Sequence, residues 1–243
     1  MDVLEKEQIN ASVAAEHWYY ESKFCLLKKH ILALPLEPAS FSSADIGSGL
    51  GLFLHKMQEN GLASPSRSIG VDPAYDYPRP AFQSDITIYP DFPQGRTYDL
   101  LMLMDVLEHV ENDVAVLRNA ISHSKANGYV FITVPALPFL WSSHDRFLGH
   151  FRRYTLCTLN QLIHDAGGLE ILKMHYFFAG ILPAVIPVRM IKAKSKAPKT
   201  SDMKAVSRPL NSLLRTICKF ELGLTEHNRI AGLSAVALCK TKS

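Results

Sequence analysis

Three glycines at alternate positions, Gly47, Gly49 and Gly51, close a short run that begins Ser42-Ser43-Ala44-Asp45-Ile46. Leu52-Phe53-Leu54-His55-Lys56-Met57 follows at once and reads as helical. The pattern is that of a strand, a tight turn and a helix N-terminus. Glycine is needed where the chain reverses with φ > 0 and where a ligand has to lie against the backbone. The first turn of a helix also leaves N–H groups without intrahelical partners. A nucleotide-like ligand is therefore the first expectation.

Spacing decides which nucleotide. A dinucleotide-binding turn places glycines at the first, third and sixth positions. Here Leu52 holds the sixth position and Gly51 the fifth, which disfavours a nucleotide-dependent oxidoreductase. Asp45 stands two places before the first glycine. The combination Asp-x-Gly-x-Gly-x-Gly resembles motif I of the class I S-adenosylmethionine-dependent methyltransferases. That resemblance implies that Gly47, Ser48, Gly49 and Gly51 lie against the adenosine and methionine parts of the cofactor, with Asp45 helping to hold its cationic end. Farther on, Ser68-Ile69-Gly70-Val71-Asp72 reads as a second strand ending in a carboxylate. Asp72 can accept both ribose hydroxyls, the role such an acid has in dinucleotide folds.

Bulk properties narrow the alternatives. At 243 residues, 47% hydrophobic and 20% charged, the chain can bury a core as a single domain spanning 1–243. A net charge of +3 is too small to argue for nucleic acid. Cys25, Cys157, Cys218 and Cys239 are scattered with no Cys-x-x-Cys pair, so no disulfide framework is implied and a reducing, cytoplasmic setting fits. The acidic, mixed start Met1-Asp2-Val3-Leu4-Glu5 is not a signal peptide. No apolar run reaches the ~18 residues a membrane span needs.

In chain order, a cap region over 1–38 opens with a helix carrying Val13, Trp18, Tyr19, Phe24, Leu27 and Ile31 at helical spacing. The cluster His17-Trp18-Tyr19-Tyr20 is either ordinary packing against the first strand or a lid over the cofactor. In the lid reading Lys23 pairs with the methionine carboxylate, at a place where similar methyltransferases tend to carry arginine. Phe82-Gln83-Ser84-Asp85-Ile86 reads as a third strand. The family resemblance makes Asp85, followed by Ile86, the acid that meets the adenine amino group; otherwise Asp85 is a surface aspartate capping a loop. Tyr98 to Met104 is near-continuously apolar, the mark of a strand buried on both faces. It discharges into Asp105-Val106-Leu107-Glu108-His109-Val110, whose wording is similar to motif IV of the ubiquinone-pathway O-methyltransferases. That likeness puts Met104 and Asp105 against the cofactor's methionine amine and the incoming acceptor. The Asn-Pro-Pro-aromatic sequence of many N-methyltransferases is absent, which shifts weight toward O-methylation.

Glu111-Asn112-Asp113 caps a helix with Val114, Leu117 and Ile121 inward, and Asn127-Gly128 turns into a fifth strand, Tyr129 to Val134. Alternating strands and helices predict a doubly wound, mostly parallel, seven-stranded Rossmann-like sheet with a helical cap. Ligands in such sheets bind beyond the carboxyl ends of the strands. Asp45, Asp72, Asp85, Asp105 and Pro135 are all expected there. Leu169 to Tyr176 and Ser234 to Cys239 supply the last strand pair.

The stretch Pro135 to Tyr154 is too long for a plain connection, and such loops are usually functional. Its phrase Val-Pro-Ala…Leu-Trp-Ser-x-His-Asp-x-x-x-Gly-His-x-Arg-Arg-Tyr-Thr resembles a bacterial methyltransferase group. Trp141, Asp145, His150, Arg152, Arg153 and Tyr154 are candidate acceptor contacts. Two arginines can grip a carboxylate or phosphate bidentately, or they tie loop to helix. His144 can take a hydroxyl proton and is the candidate catalytic base. His109, at a helix start, reads as a structural hydrogen-bonding residue. The His144/His150 pair lacks metal-ligand helical spacing and an accompanying cysteine, so no metal is expected.

Between the last two strands lies an insert, 177–232. Its apolar start runs into Lys192, Lys194, Lys196 and Lys199. Residues 181–199 are either a buried helical hairpin with a linker or a patch for peripheral contact with anionic lipid at the inner face of a membrane. Leu210 to Glu221 reads as an amphipathic helix completing a lid over the substrate loop. The sequence thus points to methyl transfer from S-adenosylmethionine to a small-molecule hydroxyl. The acceptor expected is an anionic glycan, a lipid-linked compound or an isoprenoid or aromatic metabolite. A cofactor-binding partner protein without activity is the rival outside enzymes. The oligomeric state is not legible.

Overall fold

The computed structural model describes residues 15–193 and 206–242. Val13, Lys194, Lys196 and Lys199 lie outside them. In chain order come α1 (Trp18–Leu32), β1 (Ser43–Ile46), α2 (Leu52–Glu59), β2 (Ser68–Val71), β3 (Arg79–Pro80), β4 (Thr87–Tyr89) and β5 (Tyr98–Met104). Then follow α3 (Asp113–Ser122), β6 (Ser124–Pro135), α4 (Ser143–Phe147), α5 (Leu156–Ala166), β7 (Leu169–Phe177), α6 (Leu182–Ala193), α7 (Arg208–Glu221) and β8 (Ser234–Thr241).

The strands form one sheet in the order β3-β4-β2-β1-β5-β6-β8-β7. From β4 to β6 all neighbours are parallel. β8 enters antiparallel between β6 and β7. Both faces are covered, as the unbroken apolar run of β5 requires. Its Leu100 and Met102 enter one core with Phe24, Leu54 and Phe131, while Leu101 and Leu103 enter the other with Leu117, Val130 and Leu159. The strand order reverses between the parallel β1 and β5, so a crevice opens beyond their carboxyl ends.

Several expectations change in detail. The sheet has eight strands among the described residues rather than seven, because Arg79–Pro80 pairs antiparallel with β4. That hairpin forces 82–86 into a turn instead of a strand. Gln83 takes φ 48 there, the Ala81 N–H donates to the Ile86 carbonyl at 2.8 Å, and the Ile86 N–H donates to Ser84 Oγ at 3.1 Å. Asp85 therefore precedes β4 and misses the carboxyl edge of the sheet. Asn127-Gly128 lies inside β6, not before it. Pairing jumps from Tyr98↔Ser124 to Leu100↔Tyr129, and Asn127 absorbs the bulge at φ 60.

The cap also differs. α7 packs on α1 and not over the substrate loop: the Trp18 N–H donates to Asn211 Oδ1 at 2.8 Å, and Lys29 Nζ donates to the Leu222 carbonyl at 2.6 Å. The helix that reaches the loop is α6, whose Arg189 donates to Ser142 Oγ at 2.7 Å. At the start of the insert Ile181 and Leu182 are buried, but Val188, Met190 and Ile191 on α6 are exposed. No described helix is long and apolar enough to cross a membrane.

Candidate active site

The glycine turn forms a cradle. Gly47, Gly49 and Gly51 all take positive φ, 65, 56 and 76. A Cβ on Gly47 would stand 2.7 Å from a Val106 methyl, so a side chain there would fill the gap between the turn and the end of β5. Gly47 and Gly49 line a cavity of about 360 Å³. Gly51 does not line it. A Cβ there would meet the Ala81 Cβ at 2.4 Å, so this glycine serves the packing of α2 against Ala81 and not a ligand. Ser48 is buried beneath the turn, away from the cavity, with Oγ unpartnered among the described residues.

Asp72, just past β2, also lines the cavity. Its Oδ2 accepts the Gly49 N–H at 2.7 Å and its Oδ1 the Ala74 N–H at 2.9 Å, so the acid fixes the glycine turn. Each carboxylate oxygen has a second lone pair, and acceptor capacity remains for a diol. Asp45 lies deeper, 1% exposed and outside the lining, with Oδ2 unpartnered among the described residues. Burial, reinforced by the Asp72 charge, raises its carboxyl to about 7. Asp85 is exposed and Ile86 is buried in the core; neither lines the cavity, because the β3–β4 hairpin turns them away.

At the end of β5, Met104 and Asp105 reach the cavity as expected. Asp105 sits at φ 57, a conformation uncommon for a residue other than glycine and held here by three partners. Tyr19 donates its hydroxyl to Oδ2 at 3.0 Å, Thr133 donates to Oδ1 at 3.2 Å, and Lys23 forms an ion pair with the carboxylate. Burial alone would raise the Asp105 pKa, but the Lys23 ammonium and these hydrogen bonds hold it below the ordinary value. Lys23 is therefore corrected as a cofactor ligand: it is 1% exposed, outside the lining, and committed to Asp105 and Thr133. The aromatic cluster packs against the start of the insert and also faces the cavity. Tyr19 stacks on Phe178 with ring centroids 5.3 Å apart, and Tyr19 and Tyr20 line the cavity.

The opposite wall is the stretch after β6. Its base is pinned: the Tyr154 N–H donates to the Pro135 carbonyl and the Leu137 N–H to the Tyr154 carbonyl, each at 2.9 Å. α4 begins in a capping box in which Ser142 and Asp145 satisfy each other's backbone. Asp145, fully buried, is the hub. Arg153 Nε donates to Oδ1 at 2.6 Å, His150 Nδ1 lies 3.2 Å from the same oxygen, and Arg189 Nη1 donates to Oδ2 at 3.3 Å. Burial opposes ionisation, yet these cationic and N–H partners push its pKa far below the carboxylate range.

Of the residues expected in this wall, His144, His150 and Arg153 line the cavity. Trp141, Asp145, Arg152 and Tyr154 do not. Arg152 ties the loop to α3 by donating to the Glu111 carbonyl at 2.6 Å and pairing with Asp113 at 2.7 Å. Tyr154 is 3% exposed and donates its hydroxyl to Asp113 at 2.8 Å. Sequence reasoning missed Arg189, which α6 brings from the insert, and undervalued Glu108 and His109; all three line the cavity. Glu108 is 1% exposed with Oε2 unpartnered among the described residues, and burial first, then the Asp105 charge, raises its pKa well above the ordinary value. Donor atoms of Glu108, His109 and His150 lie within 4.8 Å of one another. The His144/His150 pair considered for a metal is thus not the set that converges.

Comparison with known proteins follows this geometry. A family model described as a methyltransferase domain matches residues 18–173, well over half the chain. A search of curated proteins finds no match. Among solved structures, the fold is similar to a putative sarcosine dimethylglycine methyltransferase from Galdieria sulphuraria, with TM-score 0.56 and 13% identity over 92% of this chain and 86% of that one. It is similar to a Haloferax volcanii complex of the Trm112 activator and a putative methyltransferase, with TM-score 0.54 and 14% identity over 98% and 97%. A plantazolicin methyltransferase in complex with a triazolic analogue and S-adenosylhomocysteine gives TM-score 0.54 and 12% identity over 99% and 88%. At such identities these likenesses speak for the fold, while the matched domain and the motif I turn speak for the family. The chain belongs to the methyltransferase-domain family and is a class I S-adenosylmethionine-dependent methyltransferase.

Proposed function

We propose that the chain methylates a hydroxyl of an anionic small molecule, whether a glycan, a lipid-linked compound or an isoprenoid or aromatic metabolite. The cradle fits S-adenosylmethionine: Gly47 leaves the space a Cβ would fill, and Asp72 keeps acceptor capacity for the ribose diol. Bound there, the cofactor supplies an electrophilic methyl group. The protein's part is alignment and exclusion of water, for which Tyr19, Tyr20 and Phe53 provide the wall. His144 takes the hydroxyl proton.

One observation carries the anionic acceptor. Arg153 and Arg189 both line the cavity and meet at Asp145, which sets two guanidinium groups side by side in the wall, the donor geometry that grips a carboxylate or phosphate. The plantazolicin enzyme is named in complex with a triazolic analogue, which agrees with a small-molecule acceptor. A lipid-linked acceptor would bring the mouth to a bilayer, and α6, which delivers Arg189 inward, shows Val188, Met190 and Ile191 outward.

The test is a panel of hydroxyl compounds with and without a carboxylate or phosphate, read by release of S-adenosylhomocysteine. Charged members should be preferred. Arg189→Met should lower efficiency on them by roughly 10- to 150-fold, the loss of one charge-assisted contact of about 1.5–3 kcal/mol, with the maximal rate kept. His144→Gln should instead lower the maximal rate by about 10²–10⁴-fold. Equal use of neutral and charged acceptors, or an Arg189→Met enzyme that still discriminates, would overturn the proposal.

A further inference from the structure

We infer that Glu108, His109 and His150 form a divalent-metal site in the wall of the cavity, taking a first-row ion of the zinc class and presenting it to the acceptor's oxygen. The inference rests on the hydroxyl-methylation reading above and adds to it how the acceptor oxygen is held.

The geometry comes from two separate elements. Glu108 and His109 sit on the 3₁₀ turn that follows β5, and His150 comes from the loop after α4. Their donor atoms gather within 4.8 Å, and the two imidazole rings stand edge to face, 89° apart with centroids 4.4 Å apart. Zinc-ligand bonds of about 2.0–2.2 Å place donors roughly 3–4 Å from one another, so small side-chain rotations close the set.

Two further observations point to a ligand. The Glu108 carboxylate is 1% exposed, lines the cavity and has Oε2 without a hydrogen-bond partner among the described residues. An ionisable oxygen left so in a packed interior is costly, and a cation relieves that cost. Second, Asp145 orients His150. Its carboxylate, paired with Arg153 and Arg189, can only accept, so His150 Nδ1 carries the proton and the Nε2 lone pair is left for a metal. A carboxylate–histidine–metal arrangement of this kind fixes tautomer and ring together.

The donor set selects the ion. Two imidazoles and one carboxylate suit Zn²⁺ and its first-row neighbours, whereas Mg²⁺ and Ca²⁺ favour oxygen ligands. Three protein ligands leave a coordination position open to the cavity, where the acceptor hydroxyl binds. The ion lowers that hydroxyl's pKa and His144, in the same cavity, receives the proton.

The test uses the full chain stripped with chelator and titrated with Co²⁺, whose visible absorption reports its ligands, followed by Zn²⁺ and Mg²⁺. One equivalent of Co²⁺ should bind with nitrogen-ligand bands, be displaced by Zn²⁺, and be indifferent to Mg²⁺. Glu108→Gln, His109→Gln and His150→Gln should each abolish the bands while leaving S-adenosylhomocysteine affinity and the metal-free melting temperature close to wild type. Should one variant fail to fold, the other two still decide. A Co²⁺ spectrum of the aquated ion, or bands that survive two of the three substitutions, would overturn the site. Calorimetry with S-adenosylhomocysteine separates this from failure of the underlying reading: a chain that binds it but no metal loses the site alone.

Discussion

Replacement of Lys23 by methionine separates two roles that the sequence left open. The Lys23 side chain is 1% exposed and its ammonium pairs with Asp105, whose side chain is 25% exposed where it meets the cavity. Methionine keeps much of the volume but leaves that carboxylate with only the Tyr19 and Thr133 hydroxyls. Breaking a fully buried pair costs roughly 3–5 kcal/mol, and the partial exposure of Asp105 favours the lower end, about 3 kcal/mol. For a chain of this size each kcal/mol moves the melting temperature by about 2–4 °C, so a fall of roughly 6–12 °C is expected. The sign with pH follows. In the wild type the Asp105 pKa is lowered, so its contribution is present above the unfolded value and lost as pH falls through the folded one. Without Lys23, burial raises that pKa, and the deficit is largest near pH 8 and shrinks toward about pH 5. Thermal melts across this range measure it. A shift below about 2 °C together with collapse of cofactor affinity would refute the reasoning and return Lys23 to the role of a cofactor ligand.

Two further outcomes are expected. The Asp45 carboxyl, raised from 3.8 to about 7 by burial and then by Asp72, stabilises the fold only while protonated. That contribution is whole below the unfolded value and lost as pH rises through the folded one, so Asp45→Asn should raise ligand-free stability near pH 8 by on the order of a few kcal/mol and change little near pH 4. An unaltered pH slope in thermal melts would contradict it. If α6 meets a bilayer through Val188, Met190 and Ile191, the chain should sediment with anionic vesicles at low salt and be released at high salt. Failure to sediment at any salt removes the membrane contact.

The sheet was legible because its signals are local. The alternate glycines carry positive φ in the turn, and the unbroken apolar run from Tyr98 is buried on both faces. Asp72, Met104 and Asp105 stand just where strands end, and the sequence placed them. Asp85 was misplaced because the two-residue strand Arg79–Pro80 has too few residues to show a period, yet its pairing with Thr87 turns the acid outward. The far wall was half legible. The polar density after Pro135 marked a built loop, but which of its side chains face the cavity depends on one buried hub, Asp145, that no pattern of spacing reveals. Arg152 and Arg153 are neighbours in sequence, and one braces α3 while the other lines the cavity. Arg189 arrives from a helix that follows β7 in the chain, a contact only tertiary packing creates. Glu108 and His109 lay in plain view within motif IV, but their meeting with His150 depends on how the later loop folds back.

The most direct test of the account is calorimetry with S-adenosylhomocysteine on the wild type and Asp72→Ala, with NAD as the contrasting ligand. The cradle of Gly47 and Gly49 closed by Asp72 should bind one equivalent of S-adenosylhomocysteine, and NAD should be silent. Loss of the ribose acceptor should weaken binding by about 1.5–3 kcal/mol, roughly 10- to 150-fold, as for hydrogen bonds to a charged group. Tight NAD binding, or an Asp72→Ala chain that binds S-adenosylhomocysteine as well as the wild type, would contradict the placement of the cofactor at the carboxyl ends of β1 and β2.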